Sequence, residues 1–136
     1  MKPTLAIFIH DPYCETECAL GMIDGLVRDF DIRTFGIDQL SYQFLVKFDA
    51  VCFPGGMGDA DDFYSIFNET HIRAIRNYVI DGGKYFGICM GAYWAGPNYF
   101  NLVKNTEVEQ YIERASSDII KETPTLAKVE WLGNHE

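Results

Sequence analysis

Short apolar runs alternate with helical patterns through the first two-thirds of the chain. The runs are rich in β-branched and aromatic residues, which is typical of buried strands. They cover residues 4–10 (TLAIFIH), 31–37 (DIRTFGI), 49–53 (DAVCF) and 84–88 (KYFGI). No hairpin signal joins neighbouring runs, so each connection is expected to be a crossover, which joins parallel strands. The sequence therefore predicts an open, doubly wound α/β fold, a mainly parallel sheet with helices on both faces.

Two segments between these runs have the spacing of amphipathic helices. Residues 14–30 carry apolar side chains at every third or fourth position from Ala19 onwards. A second helix is predicted to begin after Asn68 as its N-cap and to end at the glycine pair 82–83. Its inner face is predicted to be Ile72, Ile75, Tyr78 and Val79.

The pattern weakens after residue 97. Residues 106–121 (TEVEQYIERASSDIIK) are predicted to form a helix from their length and polar content. Residues 126–132 (LAKVEWL) alternate as one more strand would. The chain then ends early for such a fold, so the sheet is expected to be incomplete at its C-terminal end.

The composition fits one globular domain over residues 1–136. Hydrophobic residues make up 48% of the chain, yet no apolar run approaches the roughly 20 residues that cross a bilayer. The first apolar run is also too short for the core of a signal peptide, which predicts a cytoplasmic protein that does not enter a membrane. The net charge is -9, with 20 acidic and 11 basic residues and no basic cluster. Nucleic-acid binding is therefore not expected, while a basic partner protein and oligomerisation stay open.

The chain has four cysteines, Cys14, Cys18, Cys52 and Cys89. In a protein predicted to be cytoplasmic, they are expected to be thiols rather than disulfides. Cys14 and Cys18 are four residues apart, near His10, but this spacing matches no zinc pattern. We therefore predict neither a metal nor a cofactor.

The segment GICMG places Cys89 between Gly87 and Gly91, directly after the fourth predicted strand. This is the spacing of a nucleophile elbow, a sharp strand-to-helix turn that exposes a reactive side chain. Side chains at the two flanking positions would collide with the strand and the helix, which explains the glycines. A helix beginning at Met90 would point its N-terminus at the sulfur and favour the nucleophilic thiolate. The alternative is that Cys89 is a small structural residue at a tight turn.

A second glycine pair, Gly55 and Gly56, ends the third predicted strand in the sequence PGG. The carboxyl ends of parallel strands lie along one edge of the sheet, where open α/β sheets bind their ligands. Backbone N–H groups near Gly55 or Gly56, together with that of Met90, would then make a two-donor oxyanion hole. Three further residues are candidates for the wall of the same pocket: Tyr13, Cys14 and Tyr93.

Taken together, VCFPGGMGDADDFY and YVIDGGKYFGICMGAYWAG resemble the class I glutamine amidotransferase-like superfamily. They are most similar to the amidotransferase-like domain at the N-terminus of biotin-protein ligases. The resemblance covers about residues 5–96. It implies a flavodoxin-like sheet, Cys89 as a nucleophile that forms a thioester, and Gly56 and Met90 as oxyanion donors. It also implies removal of ammonia from a glutamine side chain, commonly for delivery to a synthetase.

The sequence departs from the superfamily at the general base. Active members of the superfamily carry a histidine and an acidic residue well beyond the cysteine, commonly as His-x-Glu. Here only His135 follows Cys89, and it is next to the last residue. His10, at the end of the first predicted strand, is the alternative base.

Two hypotheses follow from this departure. In the first, the chain is a glutamine amidotransferase-like enzyme that acts on a small-molecule amide through Cys89. A synthetase or a complementary subunit would then supply residues that the chain lacks. In the second, the chain keeps the fold and the elbow but serves as a non-catalytic binding or scaffold domain.

Overall fold

The computed structural model describes residues 1–124 and residue 126. Its centre is a four-stranded sheet in which every pairing is parallel, in the order β2-β1-β3-β4. The strands are β1 (Thr4–Phe8), β2 (Asp31–Phe35), β3 (Ala50–Phe53) and β4 (Lys84–Gly87). Each strand falls within one of the four predicted runs, so the predicted α/β class is confirmed.

Five helices connect or follow the strands: α1 (Thr16–Leu26), α2 (Tyr42–Leu45), α3 (Phe63–Ile66), α4 (Glu69–Ile80) and α5 (Met90–Trp94). They lie on both faces of the sheet, because alternate strand residues enter two separate cores. Along β1, Phe8 packs in the larger core with α2, α4 and α5, whereas Ile7 packs in the smaller core with α1. Within the part of the chain that the structure describes, no helix is long and apolar enough to cross a bilayer.

The larger core is built from aromatic rings. Phe53 at the end of β3 lies 4.9 Å from Phe8 and 5.3 Å from Phe100, measured between ring centroids. Phe63 and Trp94 complete the cluster, and both are fully buried. This cluster fixes the end of β3 against the start of α5, which is where the two glycine motifs meet.

Both ends of α4 are capped as the sequence predicts. The Asn68 side chain accepts hydrogen bonds of 3.0 Å from the N–H groups of Thr70 and His71. At the other end, Gly82 has a φ of +98°, and the Gly83 N–H donates to the Tyr78 carbonyl at 2.9 Å. A left-handed residue at this position ends the helix, which is why glycine is favoured there.

The first strand and the first helix are both shorter than predicted. His10 and Cys14 exchange backbone hydrogen bonds of 2.9 and 2.8 Å across a tight turn. The backbone N–H and C=O groups of His10 and Cys14 bond to each other in this turn, so they neither extend β1 beyond Phe8 nor start α1 before Thr16. Cys14 therefore lies in this turn and not on the helix with Cys18.

The helix predicted over residues 106–121 is wrong. This segment has only a 3₁₀ turn, Tyr111–Glu113, and nearly all of its side chains are exposed. It lacks the apolar stripe that would hold a helix against the sheet, and helix propensity alone does not stabilise so short a segment. The strand predicted over 126–132 lies outside the described residues, apart from Leu126.

Candidate active site

Cys89 occupies the turn between β4 and α5. Its φ is 52° and its ψ is −113°, a conformation in the left-handed half of the map that non-glycine residues rarely adopt. Holding such a residue costs on the order of 1–3 kcal/mol, and it persists only where its surroundings fix it. The side chain is exposed at the carboxyl edge of the sheet.

The glycines on either side leave no room for a side chain. A Cβ at Gly91 would collide with the carbonyl oxygen of Phe53 and lie 2.7 Å from the Phe53 Cβ. A Cβ at Gly87 would collide with the Gly91 carbonyl and lie 2.8 Å from the Ala92 nitrogen. The chain therefore makes this turn only with glycine at both positions.

Two aromatic side chains hold the turn: Tyr85, which is partly buried, and Trp94, which is fully buried. The Tyr85 hydroxyl donates to the Gly91 carbonyl at 2.6 Å, and its ring stacks on Phe53 at 5.2 Å. Burial raises the pKa of Tyr85, so the group remains a neutral donor. The Trp94 indole donates to the Ala60 carbonyl at 3.1 Å, which ties α5 to the segment after the PGG turn.

The PGG turn closes directly on the cysteine. A Cβ at Gly55 would lie 3.0 Å from the Cβ of Cys89, so the two backbones approach each other closely. The Gly55 carbonyl accepts from the Glu15 N–H at 3.1 Å. Among residues 1–124, the N–H groups of Gly56 and Met90 take part in no hydrogen bond. Both residues line one cavity together with Cys89.

Cys89 borders two cavities. The first, the apolar groove, has a volume of about 650 Å³ and runs between α1 and β4. Apolar groups dominate its wall: Gly21, Met22, Leu26, Met57, Phe86 and Ile88. It also exposes Glu15 and Cys18 near the thiol.

The second cavity, the polar cavity, has a volume of about 400 Å³ and lies on the α5 side of Cys89. Gly56 and Met90 line it together with three carboxylate side chains and one amide. These are Asp59, Glu109, Glu113 and Gln110. The Glu109 carboxylate forms an ion pair with Arg114 at 2.9 Å. The other two carboxylates of this cavity, Asp59 and Glu113, form no ion pair within the described residues.

Of the predicted pocket residues, the structure brings Tyr93 to the polar cavity. Partial burial, with smaller effects from Cys89 and Glu113, raises the pKa of the Tyr93 hydroxyl. Tyr13 and Cys14 line neither cavity. Tyr13 packs its ring against Gly58, and the buried Cys14 thiol donates to the Pro54 carbonyl at 3.4 Å. Cys14 supports the PGG turn from behind and does not face a ligand.

Within the described residues, no histidine lines the cavities beside Cys89. The His10 ring lies between Phe8 and Tyr13, at centroid distances of 6.0 and 6.1 Å, and it lines neither cavity. His71 lies in the first turn of α4, and partial burial lowers its pKa. His135 falls outside the described residues, so its role stays a prediction.

The accessible thiols are Cys18 and Cys89. Cys14 and Cys52 are fully buried, and burial is the main cause that raises both of their pKa values, that of Cys52 to about 12. The described part of the chain groups no three metal-binding side chains as a metal site requires.

The sequence reasoning missed most of the groove. Glu15 and Cys18 follow the first strand, and the crossover rule already places that connection at the same sheet edge as Cys89. Phe86 and Ile88 alternate with inward-facing Tyr85, which signals that β4 has two apolar faces. Glu109, Gln110 and Glu113 gave no signal, because their placement depends on an irregular segment.

Comparison with known families agrees with the geometry. The family model described as biotin-protein ligase, N terminal, matches residues 15–115, most of the chain, including both the PGG turn and the Cys89 elbow. No curated protein and no solved structure matches the sequence. The resemblance drawn from the two glycine motifs is thereby confirmed. The chain belongs to the family of biotin-protein ligase N-terminal domains.

Proposed function

We propose that this domain is a glutamine amidotransferase-like enzyme unit in which Cys89 attacks the carboxamide carbon of a glutamine-type substrate. The observation that carries the proposal is the backbone of Cys89, held at a φ of 52° between two glycines with its thiol exposed. A purely structural cysteine gains nothing from such a conformation. A nucleophile does, because the turn lifts its sulfur clear of the sheet.

The reaction has two halves. The Cys89 sulfur bonds to the amide carbon, and the C=O electron pair moves onto the oxygen. The tetrahedral intermediate collapses as the C–N bond breaks, ammonia leaves with an added proton, and a thioester remains. Water then attacks the thioester, releasing the carboxylic acid and the thiol. The proposed donors to the oxyanion of both intermediates are the N–H groups of Gly56 and Met90, which have no hydrogen-bond partner in the described residues and line the same cavity as Cys89.

The polar cavity is the better substrate site of the two. It contains both oxyanion donors, and its unpaired carboxylates Asp59 and Glu113 suit the ammonium group of an amino acid. The apolar groove offers Glu15 as its single charged side chain near the thiol. A small amide with an attached ammonium group therefore fits the α5 side of Cys89.

Both halves of the reaction need a general acid/base to transfer protons, and the described residues place no histidine at either cavity. Neither His10 nor His71 lines either cavity, and the His-x-Glu of active superfamily members has no counterpart in the described residues. General acid/base catalysis is typically worth about 10²–10⁴-fold. We therefore propose that a complementary subunit or a synthetase partner completes the site and receives the ammonia.

The lack of a histidine at the two cavities in the described residues also favours a second candidate. This candidate is a non-catalytic domain that binds a small amide or a partner protein at the carboxyl edge of the sheet. The two candidates differ in what Cys89 does. An enzyme unit forms a covalent acyl intermediate on Cys89, whereas a binding domain does not.

Labelling with a glutamine-like chloroketone separates the candidates. We expect one adduct per chain by intact mass, located on Cys89 by peptide mapping and slowed by excess glutamine. The Cys89→Ser variant should remain unlabelled, and the matched variant Cys18→Ser should label normally. Labelling that glutamine does not slow, or that occurs on Cys18, would contradict the enzyme proposal and favour the binding domain.

A further inference from the structure

Two thiols border the same small space above Gly55. A methyl group built on Gly55 would lie 3.6 Å from the Cys89 sulfur and 3.8 Å from the Cys18 sulfur. Both side chains line the apolar groove, Cys89 exposed and Cys18 partly exposed. Because residue 55 is glycine, no side chain occupies the volume between the two sulfurs.

We infer that Cys18 and Cys89 form a reversible intramolecular disulfide when a peroxide oxidises Cys89, with Cys18 as the resolving cysteine. A disulfide requires the sulfurs to approach to about 2.05 Å, so at least one side chain has to move. Cys18 is in the first turn of α1, and the Asp11 carboxylate holds the start of this helix by accepting from the Thr16 N–H at 2.9 Å and from the Thr16 hydroxyl at 3.1 Å. The approach therefore comes from rotation of the Cys18 and Cys89 side chains into the space above Gly55.

The chemistry balances with hydrogen peroxide as the oxidant. The Cys89 thiolate attacks one peroxide oxygen, an S–O bond forms and the O–O bond breaks, leaving a sulfenic acid and one molecule of water once protonated. The Cys18 sulfur then attacks the Cys89 sulfur. The S–S bond forms, the S–O bond breaks, and the departing hydroxide takes the Cys18 proton as a second water. Two thiols are oxidised by two electrons and one peroxide is reduced.

The surroundings assign the two roles. Cys89 is the exposed thiol at the strained elbow and meets the peroxide first. The Cys18 thiol donates to the Glu15 carboxylate at 4.0 Å. Partial burial, with a further contribution from Glu15, raises the pKa of Cys18. Cys18 therefore stays protonated until the sulfenic acid forms beside it, and Glu15 is placed to relay its proton to the departing hydroxide.

The other two thiols are poor alternatives. Cys14 is fully buried with its thiol on the Pro54 carbonyl, and Cys52 is fully buried in β3. A disulfide at Cys18 would block Cys89 reversibly and protect it from irreversible oxidation to the sulfinic acid. The inference needs only an accessible Cys89 thiol, so it stands whether or not the domain acts on carboxamides.

Oxidation of the reduced chain by stoichiometric hydrogen peroxide tests the inference. We expect a monomer on a non-reducing gel that has lost two hydrogen atoms by intact mass and regains them with dithiothreitol. Glu15 and Glu17 lie between Cys14 and Cys18, and Arg28, Arg33 and Lys47 lie between Cys18 and Cys52. A glutamyl endoprotease combined with trypsin therefore places the cysteines on different peptides. The linked peptides should be those that contain Cys18 and Cys89.

Cys18→Ser is the matched variant. It should form no intramolecular disulfide, and its Cys89 should be trapped by dimedone as a sulfenic acid that the parent chain does not accumulate. Equal thermal melts of the two reduced proteins establish that the comparison is fair. A disulfide that includes Cys14 or Cys52, a disulfide between chains, or equal dimedone labelling of parent and variant would overturn the inference.

Discussion

Cys89 is the residue on which the proposed function depends, and its conformation is maintained by Gly87, Gly91 and Tyr85. Gly87 and Gly91 leave room for the turn, while Tyr85 holds the Gly91 carbonyl from the buried side. The sequence predicted the two glycines and their reason. It did not predict Tyr85, because a tyrosine in an apolar strand looks like any other core residue.

Substituting Gly91 should be among the most destabilising single changes in the chain. In Gly91→Ala the new methyl group meets the Phe53 carbonyl, which belongs to a fully buried strand and has nowhere to move. We expect the free energy of unfolding to fall by about 3 kcal/mol or more. Gly21→Ala is the control, because nothing lies within 4 Å of its Cβ position on the exposed side of α1.

Thermal melts of the two variants decide this prediction. The control should melt at or above the parent temperature, since alanine stabilises a helix relative to glycine by about 0.5–1 kcal/mol. A Gly91→Ala protein that melts with the parent would show that the turn is not the close-packed elbow described here.

Alkylation should rank the four thiols by their surroundings. Under limited iodoacetamide, Cys89 is expected to react first and Cys18 more slowly, because Cys18 is partly buried and its pKa is raised. Cys14 and Cys52 should react only on unfolding, since both are fully buried. Peptide mapping over time gives the order. Early modification of Cys14 or Cys18 ahead of Cys89 would be inconsistent with an exposed nucleophile at the elbow.

At the scale of elements, the unit that forms the site is β3, the PGG turn, β4 and α5. The Tyr85 hydroxyl donates to the Gly91 carbonyl and so joins β4 to α5. The Trp94 indole donates to the Ala60 carbonyl and so joins α5 to the segment after the PGG turn. Because these bonds are shielded from solvent in part and join neighbouring elements, they position backbone that would otherwise adjust under strain. The Tyr42–Asp81 hydrogen bond of 2.5 Å is exposed and does not position the backbone of the site.

Tyr85→Phe should therefore cost more than Tyr42→Phe. Removing the Tyr85 hydroxyl leaves the Gly91 carbonyl without that partner in a partly buried setting, which is expected to cost about 1–2 kcal/mol. Removing the exposed Tyr42 hydroxyl should change the free energy of unfolding by no more than about 0.5 kcal/mol. Urea titrations of both variants measure the difference. Equal midpoints would contradict a supporting role for Tyr85.

The elements that could be predicted are those with a clear hydrophobic periodicity or with residues that begin or end a helix. α4 has both an N-cap at Asn68 and a glycine stop at Gly82, and its predicted bounds agree with the structure. The end of β1 was misjudged because the turn that pairs His10 with Cys14 depends on backbone hydrogen bonds that no side-chain pattern records. Residues 106–121 were misjudged because length and polarity also describe an exposed irregular segment.

At the scale of the whole molecule, the order of the strands in the described residues places β4 at one end of the sheet, and no described element covers one face of that strand. Phe86 and Ile88 are 49% and 44% exposed there, on the wall of the apolar groove. The fold class followed from the alternation of strand and helix patterns. The two cavities did not, because a cavity depends on how elements pack and on the course of residues 108–113, which sequence spacing does not record.

The most direct test is a time course of ammonia release from glutamine by the isolated chain. We expect a slow release that approaches about one equivalent per chain and then stalls, with the acyl group retained on Cys89 as a mass increase that hydroxylamine removes. Cys89→Ser should release none. Because no histidine of the described residues lines the cavities beside Cys89, we expect hydrolysis of the thioester to be the step that fails. Steady turnover at roughly 1 s⁻¹ or above would contradict the missing base, and release no greater than that of Cys89→Ser would contradict a nucleophilic Cys89.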